Sequence, residues 1–310
     1  MQPLAKLIWM DGRLRPWEEA RVHVMAHTLH YGVGVFEGVR CYAQESGLPA
    51  IFRLGDHVDR LIDSARCVGM ELPFTRDALL EACRVTVREN GFSDCYLRPI
   101  ALHADGEPGL GAVNPVSVAV AAFAWGAYLG REGMEKGICA TLSSWVRHHA
   151  GSAMHRAKIS GQYTASVLAK RLAKSNGFDE AIFCDPAGYV CEGTGENLFL
   201  VRRGVLKTPP AHAAILPGIT RDSVLSMARA MGGELKLEVR EEPFARDELF
   251  LADELFFTGT AAEITPIREV DHRTIGAGQR GPVTEALQRA FFRAVRGEEP
   301  AWRSWLAPVS

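Results

Sequence analysis

Residues 189–199 read YVCEGTGENLF and predict a strand, a glycine-rich turn and a second strand. Glu192 therefore lies at a strand end among small residues, where a carboxylate can approach a bound ring closely. Beside the nitrogen of a pyridine ring, such a carboxylate keeps that nitrogen protonated and makes the ring a better electron acceptor. An ordinary acid in a glycine-rich turn explains the same residues, so this stretch alone leaves both interpretations open.

The sequence around this stretch predicts a second half that mixes strands with helices. The predicted elements are strands at 138–145, 181–184, 197–201 and one that ends at Thr258, and helices at 161–175, from Thr220 onward, and at Pro282–Val295. The Pro186-Ala187-Gly188 turn makes a hairpin of the middle strands. Helical spacing predicts one buried face on the helix at 161–175, formed by Ala165, Leu168, Ala169 and Leu172.

The first half of the chain predicts hairpins followed by two helices and two longer strands. The predicted strands are residues 7–9, 14–24, 39–43, 50–54, Cys95–His103 and 116–128. Asp11-Gly12 and Glu45-Ser46-Gly47 supply the hairpin turns. One helix starts at Asp56 and is closed by Gly69, and the next runs from its N-cap Thr75 through Asn90 to a stop at Gly91.

Strands and helices follow each other without a strict β-α-β alternation, and hairpins are frequent. This pattern favours an α+β fold over a doubly wound parallel sheet. The composition turns polar and glycine-rich at residues 128–133. We therefore predict a smaller N-terminal domain at 1–128, an interdomain linker at 129–136 and a larger domain at 137–310.

Composition excludes several classes of protein. The net charge is −2 and 47% of the residues are apolar, which argues against a nucleic-acid-binding protein. The longest apolar stretch, residues 115–129, falls short of the roughly 20 residues that span a bilayer, so we expect no membrane segment. Seven scattered cysteines predict a reduced, cytoplasmic protein. His148, His149 and His155 lack metal-ligand spacing and an acidic partner, so no metal site is predicted.

Common nucleotide and hydrolase motifs find no support. The sequence has no G-x-x-x-x-G-K-[ST] motif and no G-x-S-x-G motif. Gly32, Gly34 and Gly38 are spaced one residue too widely for a dinucleotide fingerprint, and aromatic neighbours favour a pocket wall there.

Lys158 is a candidate nucleophile because lysine is rare in this chain, with seven among 35 basic residues. It lies between a loop and a predicted helix start. A desolvated lysine can lose its proton and condense with an aldehyde, which arginine cannot do. When Lys158 is considered alone, a solvated lysine at a helix N-terminus is the better explanation.

Two turns of small residues are candidate anion sites. Residues 216–221, LPGITR, form a tight turn that enters a helix, and the free amides of a helix start suit a phosphate group. Residues 258–262, TGTAA, offer hydroxyls and accessible amides in a second turn. Simple capping and turn chemistry would account for both.

Taken together and in this order, these motifs resemble the class IV (fold type IV) aminotransferases over nearly the whole chain. The N-terminal half resembles the branched-chain amino acid aminotransferases within that family. The residues that carry the resemblance are Lys158-x-x-Gly161-x-Tyr163, Glu192-Gly-x-Gly-Glu-Asn-Leu-Phe199, Leu216-Pro-Gly-Ile-Thr-Arg221, Gly259-Thr-Ala-Ala-Glu-Ile-Thr-Pro266, His30-Tyr31-Gly32, Phe36-Glu37-Gly38-Val39-Arg40, Arg60-Leu61 and Tyr96-Leu97-Arg98-Pro99. The resemblance implies a two-domain enzyme with a smaller N-terminal α/β domain and a larger C-terminal pseudo-barrel.

The resemblance also implies pyridoxal 5'-phosphate as cofactor. Lys158 would hold it covalently, remove the Cα proton of the substrate and return that proton to the cofactor's C4′ carbon. Glu192 would bind the pyridine nitrogen and Tyr163 the ring oxygen. Arg60, Ile219, Thr220 and Thr260 would bind its phosphate, and Leu216 is a further residue implied in binding the cofactor.

For the substrates, the resemblance implies L-leucine, L-isoleucine or L-valine as donor and 2-oxoglutarate as acceptor, in a two-stage transamination. Tyr96, Ala261 and Ala262 would bind the α-carboxylate, and Arg98 the distal carboxylate of glutamate. The apolar pocket would be lined by Tyr31, Phe36, Gly38 and Tyr128. Residues 105–114 would form a loop over a partner's pocket in a homodimer or a larger dimer-based assembly.

Several alternatives stay open. A D-amino acid aminotransferase and an aminodeoxychorismate lyase share this fold, and an R-selective amine transaminase is a further variant. A non-catalytic relative and a nicotinamide oxidoreductase belong to other classes. Residues 147–155 are more basic and histidine-rich than the family pattern, which leaves the range of acceptors open.

Overall fold

The computed structural model describes residues 4–45, 47–126 and 128–309, and the chain divides into two compact units. Unit 1 contains the described residues up to Trp125, Ala157–Gln162 and the residues from Arg293 onward. Unit 2 contains the described residues of Gly126–Arg156 and Tyr163–Phe292. The units are therefore interleaved along the chain. The predicted domain limits at 1–128, 129–136 and 137–310 stay predictions.

The strands of the described residues follow in chain order. They are β1 (Leu7–Met10), β2 (Arg13–Pro16), β3 (Gly34–Phe36), β4 (Val39–Tyr42), β5 (Ala50–Phe52), β6 (Cys95–His103), β7 (Val116–Phe123), β8 (Ile138–Leu142), β9 (Glu180–Cys184), β10 (Val190–Gly193), β11 (Asn197–Arg202), β12 (Val205–Thr208), β13 (Glu238–Glu241), β14 (Glu254–Gly259), β15 (Glu263–Val270), β16 (Arg273–Thr274) and β17 (Leu306–Pro308).

The α-helices of the same residues are α1 (His27–Tyr31), α2 (Leu54–Cys67), α3 (Arg76–Asn90), α4 (Arg131–Lys136), α5 (Thr164–Ser175), α6 (Ile219–Ala230), α7 (Gly232–Leu235), α8 (Arg246–Leu249) and α9 (Pro282–Val295). Short 3₁₀ turns occupy Trp17–Glu19, Ser160–Tyr163 and Pro300–Trp305. None of these helices is long and apolar enough to cross a membrane.

Unit 1 is an antiparallel sheet with two helices packed against it. Its strand order is β17-β5-β4-β6-β7-β1-β2, and β3 pairs with β6. Helices α2 and α3 bury Val58, Leu61 and Leu79 against apolar residues of the sheet such as Leu97 and Val118. Burial of this kind contributes about 25 cal/mol per Å² of apolar surface, so the helices are held by their apolar faces.

Unit 2 is built on a closed ring of strands. The order β10-β9-β8-β15-β14-β11 is closed by a further pairing between β10 and β11, and β12 and β13 extend from β11. Parallel pairs (β8 with β9 and β15, β12 with β13) mix with antiparallel ones. Leu198, Leu200 and Phe257 are fully buried in its core. Because closure leaves the ring without an open edge, this unit is the predicted pseudo-barrel, and the α+β prediction is confirmed.

The helices agree with their sequence signals. Thr75 accepts a hydrogen bond from the Ala78 amide at the start of α3, and Gly91 ends that helix with a φ of 69°. The prediction for Pro282–Val295 matches α9 at both ends. The hairpin of β4 and β5 is also confirmed, although Ser46 of its predicted turn lies outside the described residues.

Three long strand predictions are wrong at their C-terminal ends, and the one at 50–54 is too long by two residues, because Leu54 begins α2. The strand predicted at 14–24 stops at Pro16, opposite the first residue of β1, and a 3₁₀ turn follows. The strand predicted at 116–128 stops at Phe123, which pairs with Tyr96 near the start of β6; its residue 127 lies outside the described residues. The strand predicted at 138–145 stops at Leu142. There the Ser143 hydroxyl accepts from the Trp145 amide, and this local turn replaces the ladder.

The predicted buried face of the helix at 161–175 is also wrong in part. The segment starts as a 3₁₀ turn and becomes α5 at Thr164. Leu168 and Leu172 are exposed, whereas Ala169 and Ala173 are buried with Phe178. The small side chains let the helix backbone approach its neighbours closely, and the larger leucines therefore face outward.

Candidate active site

Lys158 is fixed through its backbone in unit 1. Its amide donates to the Ser64 hydroxyl at 2.9 Å, and its carbonyl accepts from the Phe36 amide at 3.1 Å. The next residue, Ile159, forms an isolated bridge with Val35 of β3. The side chain is half-buried, and its Nζ lies 5.0 Å from the centre of the Phe36 ring. The structure thus presents a lysine with a fixed backbone beside an aromatic face.

Arg60 lies on α2 and forms a two-pronged ion pair with Glu37. Its Nε donates to Glu37 Oε1 at 2.6 Å and its Nη2 to Oε2 at 2.9 Å. His57 donates from Nδ1 to the same Oε2 at 2.7 Å. Burial alone would raise the pKa of Glu37, but Arg60 and His57 outweigh it and hold that pKa far below its usual value. Glu37 is therefore an ionised carboxylate inside unit 1.

Four predicted substrate residues lie together in unit 1. The Arg98 guanidinium carbon lies 4.9 Å from the centre of the Phe36 ring and 5.4 Å from that of Tyr96. Arg98 Nε is buried without a hydrogen-bond partner among the described residues. A Cβ on Gly38 would overlap the Tyr96 hydroxyl and come 2.8 Å from its Cζ. The backbone at Gly38 thus lets the tyrosine pass, and a cation stands over two aromatic faces.

Tyr31 and the loop at 105–114 lie elsewhere in unit 1. Tyr31 is 42% exposed, and its ring lies 4.5 Å from that of His27. His27 Nε2 is 2.9 Å from the Gly109 carbonyl, and Asn114 bonds both the amide and the carbonyl of Glu107. Leu110 at the loop tip is 85% exposed. The loop is therefore tied at its base and apolar at its tip.

Glu192 is the penultimate residue of β10 in unit 2 and is 5% exposed. Its Oε1 lies 2.6 Å from Arg147 Nη2. Its Oε2 accepts from the Leu216 amide at 3.0 Å and from Asn197 Nδ2 at 3.1 Å. Asn197 also donates to the Leu216 carbonyl at 2.8 Å. The carboxylate is thus joined directly to the turn that leads into α6.

The two predicted anion turns both lie in unit 2. Ile219 and Thr220 are buried first residues of α6, and the N-cap is Gly218, which has no side-chain oxygen to cap the helix. Amides at such a helix start attract anions. Thr260 and Ala261 are half-buried and Ala262 is buried in the turn between β14 and β15. Both turns therefore offer backbone donors at an element end.

Tyr128 and Tyr163 also belong to unit 2. Lys170 Nζ lies 4.9 Å from the centre of the Tyr128 ring and forms a short ion pair with the buried Glu180. Burial raises the pKa of Tyr128. Tyr163 ends the 3₁₀ turn that precedes α5 and is half-buried. Tyr163 thus lies at the end of an ordered element, and Tyr128 lies in the turn before α4.

Of the three histidines in the stretch at 147–155, His155 is buried, His148 is half-buried and His149 is exposed. Both ring nitrogens of His155 lack a hydrogen-bond partner among the described residues. Burial lowers the pKa of His155, and the charge of Arg147 lowers it further. No group of three or more possible metal ligands is found in the described part of the chain.

Sequence reasoning assigned no role to Glu37, Arg147 or Asn197. Glu37 stands between Phe36 and Gly38, and an acid inside an apolar, aromatic stretch is a usable signal of a buried ion pair. In the sequence, Arg147 stands out only as part of a basic stretch. Asn197 is the start of a predicted strand, which gives no sign of the side-chain bonds that it makes to Glu192 and Leu216.

Comparison with known proteins gives a consistent result. The family described as Amino-transferase class IV matches residues 34–270. The branched-chain-amino-acid aminotransferase of Pseudomonas aeruginosa is 50% identical over 300 residues, which cover 96% of each chain. A solved T.th. branched-chain amino acid aminotransferase with pyridoxamine 5'-phosphate has a TM-score of 0.95 at 46% identity, and all of both chains is covered.

A second T.th. structure of that enzyme, complexed with N-(5'-phosphopyridoxyl)-L-glutamate, has a TM-score of 0.93 at 45% identity, again over the whole of both chains. The family match spans more than half of the chain, and the matched relatives cover nearly all of it. This chain belongs to the class IV aminotransferase family.

Proposed function

We propose that this chain is a branched-chain amino acid aminotransferase that uses pyridoxal 5'-phosphate. It transfers the amino group of L-leucine, L-isoleucine or L-valine to 2-oxoglutarate and releases a branched-chain 2-oxo acid and L-glutamate. The observation that carries the proposal is the 50% identity to the Pseudomonas aeruginosa enzyme over nearly the whole of both chains. The adduct of a phosphopyridoxyl group with glutamate in a related structure supports the acceptor half of the reaction.

The residues present fit this cofactor at each of its chemical groups. Lys158 offers an amine for the aldehyde, and it lies beside an aromatic face. Glu192 offers a buried carboxylate for the pyridine nitrogen, and Arg147 favours its charged form. Arg60, Ile219, Thr220 and Thr260 offer a guanidinium, hydroxyls and backbone donors for a phosphate, and the amide of Leu216, a further cofactor-site residue, orients Glu192.

The side chains divide the chemical work. When bound, pyridoxal phosphate supplies the electron sink that stabilises negative charge at the substrate Cα. Lys158 Nζ anchors the cofactor before the substrate arrives, and as a neutral amine it takes the proton from Cα. Glu192 holds a proton on the pyridine nitrogen, and the Tyr163 hydroxyl donates to the ring oxygen. Fixing these groups in advance lowers the cost of reorganisation.

The substrate contacts follow from the charges and surfaces of the remaining residues. Arg98 binds the distal carboxylate of glutamate, and its buried, unpaired Nε fits an incoming anion. Tyr96 and the amides of Ala261 and Ala262 bind the α-carboxylate. An apolar side chain packs on the residues Tyr31, Phe36, Gly38 and Tyr128. Arg98 lies over aromatic faces, so one pocket can accept a charged or an apolar side chain.

The assembly and location of the enzyme belong to the same proposal. A second copy of this chain is the expected partner, in a homodimer or a larger dimer-based assembly. The exposed apolar tip at Leu110 and Val113 supports this, because such side chains favour an interface. The cytoplasm is the proposed location.

An absorption spectrum of the purified protein tests the proposal. We expect a visible band of the bound cofactor that converts to the pyridoxamine form with L-leucine and stays unchanged with D-alanine. A response to D-alanine alone would make the chain a D-amino acid aminotransferase. A bound cofactor that responds to neither would favour a lyase such as aminodeoxychorismate lyase. If no band forms after incubation with pyridoxal phosphate, the proposal is wrong.

A further inference from the structure

We infer that Glu37 is a positioning residue that fixes the guanidinium of Arg60 for an incoming phosphate monoester. The inference rests on the proposed function, because that proposal assigns the cofactor's phosphate to Arg60. It adds a residue that touches neither the cofactor nor the substrate. All of the contacts that carry it lie within unit 1.

Four hydrogen bonds hold the carboxylate of Glu37, one at Oε1 and three at Oε2. Oε1 accepts from Arg60 Nε at 2.6 Å, and Oε2 accepts from Arg60 Nη2 at 2.9 Å, from His57 at 2.7 Å and from the Gly38 amide at 3.2 Å. The glutamate's own amide donates to the Pro99 carbonyl at 2.8 Å. The carboxylate is therefore held by two side chains of α2 and by the adjacent Gly38 amide, and the backbone of Glu37 is held by β6.

A carboxylate held in this way determines the plane of the guanidinium. Two parallel N–H···O bonds lock an arginine side chain, which otherwise has several freely rotating bonds. The Nε edge of Arg60 faces Glu37, so the opposite edge has a fixed direction as well. Preorganisation of this kind lowers the entropy cost of binding a second anion.

The cluster is built to stay charged. Burial lowers the pKa of His57, and the charges of Arg60 and Lys158 lower it further, which outweighs the opposing effect of Glu37. His57 is thus a neutral donor to an ionised Glu37. A neutral histidine orients the carboxylate without competing with Arg60 as its counter-ion.

Helix α2 provides a matched control in the residue before Arg60. Asp59 accepts from Arg76 Nε at 2.6 Å and from Nη2 at 2.9 Å, the same two-pronged geometry. The side chains of that pair are about half exposed, at 51% and 47%, whereas those of Glu37 and Arg60 are 1% and 13% exposed. The two pairs differ in burial and in the proposed task of the arginine.

The experiment compares pyridoxal phosphate with pyridoxal, which lacks the phosphate. Both are titrated into the full-length protein after removal of its cofactor, and the ratio of their dissociation constants is the readout. Glu37→Asp keeps the charge but shortens the reach, and Glu37→Gln keeps the length but removes the charge. We expect both to lower the preference for the phosphorylated form by about tenfold, the size of one charge-assisted hydrogen bond. Asp59→Asn is expected to leave the ratio unchanged.

A double mutant locates the effect at Arg60. In an Arg60→Gln background, Glu37→Asp is expected to cause no further loss of preference, because the residue it positions is gone. If Glu37 had a purely structural role, its substitution would weaken the binding of pyridoxal phosphate and of pyridoxal equally, and the ratio of their dissociation constants would stay constant. If Glu37→Gln does not fold, Glu37→Asp and this double mutant provide the test. An increased preference in Glu37→Gln with no change in Glu37→Asp would make Glu37 a simple counter-ion and overturn the inference. Failure of the unaltered protein to bind pyridoxal phosphate would instead refute the proposed function.

Discussion

Each unit buries a glutamate against an arginine, and the two pairs are built differently. In unit 1, both oxygens of Glu37 bond the same guanidinium of Arg60. In unit 2, Arg147 lies 2.6 Å from Oε1 of Glu192, and Oε2 accepts from the Leu216 amide and Asn197. Both oxygens of the first glutamate thus reach its arginine, and His57 and the Gly38 amide share Oε2. The second is shared between an arginine and the turn before α6.

This difference agrees with the roles proposed for the two pairs. Both oxygens of Glu37 orient the guanidinium of Arg60, which fits the proposal that Arg60 binds the phosphate. Three donors from different segments orient Glu192, which fits the proposal that its carboxylate meets the pyridine nitrogen. Replacing Glu37 or Glu192 with glutamine should therefore change the transamination rate to different extents.

The largest effect is expected for Glu192→Gln. The amide keeps the shape of the side chain but cannot hold a proton on the pyridine nitrogen. We expect the transamination rate with L-leucine to fall by about 10²- to 10³-fold, the loss found when one preorganised electrostatic group is removed. Single-turnover rates measure this, and Asp59→Asn is the control. A rate within threefold of the unaltered enzyme would show that Glu192 is not the electronic partner of the ring.

Arg147→Met should show how much the ion pair of Arg147 and Glu192 contributes to the stability of the protein. It leaves the buried charge of Glu192 without its cation, which costs about 3–5 kcal/mol of unfolding free energy. Urea unfolding of the cofactor-free protein measures this loss. Arg76→Met breaks an exposed pair in water and is expected to change the midpoint very little. Equal losses for the two substitutions would contradict the assignment of Arg147 to a buried pair.

Local signals predicted the helices of this fold well and the strand ends poorly. Helix α3 carries its own boundaries in Thr75 and Gly91, so neighbouring residues suffice to find it. The end of β7 is set by where its partner strand begins, which the residues of β7 themselves do not encode. The joining of Ala157–Gln162 to unit 1 depends in the same way on pairing between distant segments.

The residues of the candidate site also differ in whether neighbouring sequence or distant segments determine them. Lys158 and Glu192 stand in motifs whose residue types are chemically distinctive, so the sequence predicts their roles, and these roles stay predictions until they are tested. The partners Arg147 and Asn197 reach Glu192 only because β9, β10 and β11 are neighbours in the ring. Such contacts depend on three-dimensional packing, and composition and spacing do not reveal them.

Gly38→Ala tests whether the surroundings of Glu37 also shape the substrate pocket. The Gly38 amide donates to Glu37, and an added Cβ would overlap Tyr96. Because Tyr96 must then move, we expect the KM for L-leucine to rise about tenfold with a smaller change in kcat. Gly233 has open space around its Cα, so Gly233→Ala is the control. An unchanged KM would remove Tyr96 from the proposed carboxylate site.

A third buried glutamate extends the comparison and should give the smallest effect. Burial raises the pKa of Glu196 to about 8, and the neighbouring carboxylate of Glu180 adds to the shift against the opposing charge of Lys170. The folded protein therefore binds more protons than the unfolded chain between the usual pKa of 4.5 and about 8. In that window stability falls as pH rises, by about 1 kcal/mol between pH 7 and 8. For Glu196→Gln, the unfolding free energy should therefore fall less between pH 7 and 8 than it does for the unaltered protein. Glu37, which is held by an arginine, is already ionised there and contributes nothing to this slope. If the plots of unfolding free energy against pH are parallel for Glu196→Gln and the unaltered protein, Glu196 is ionised as well.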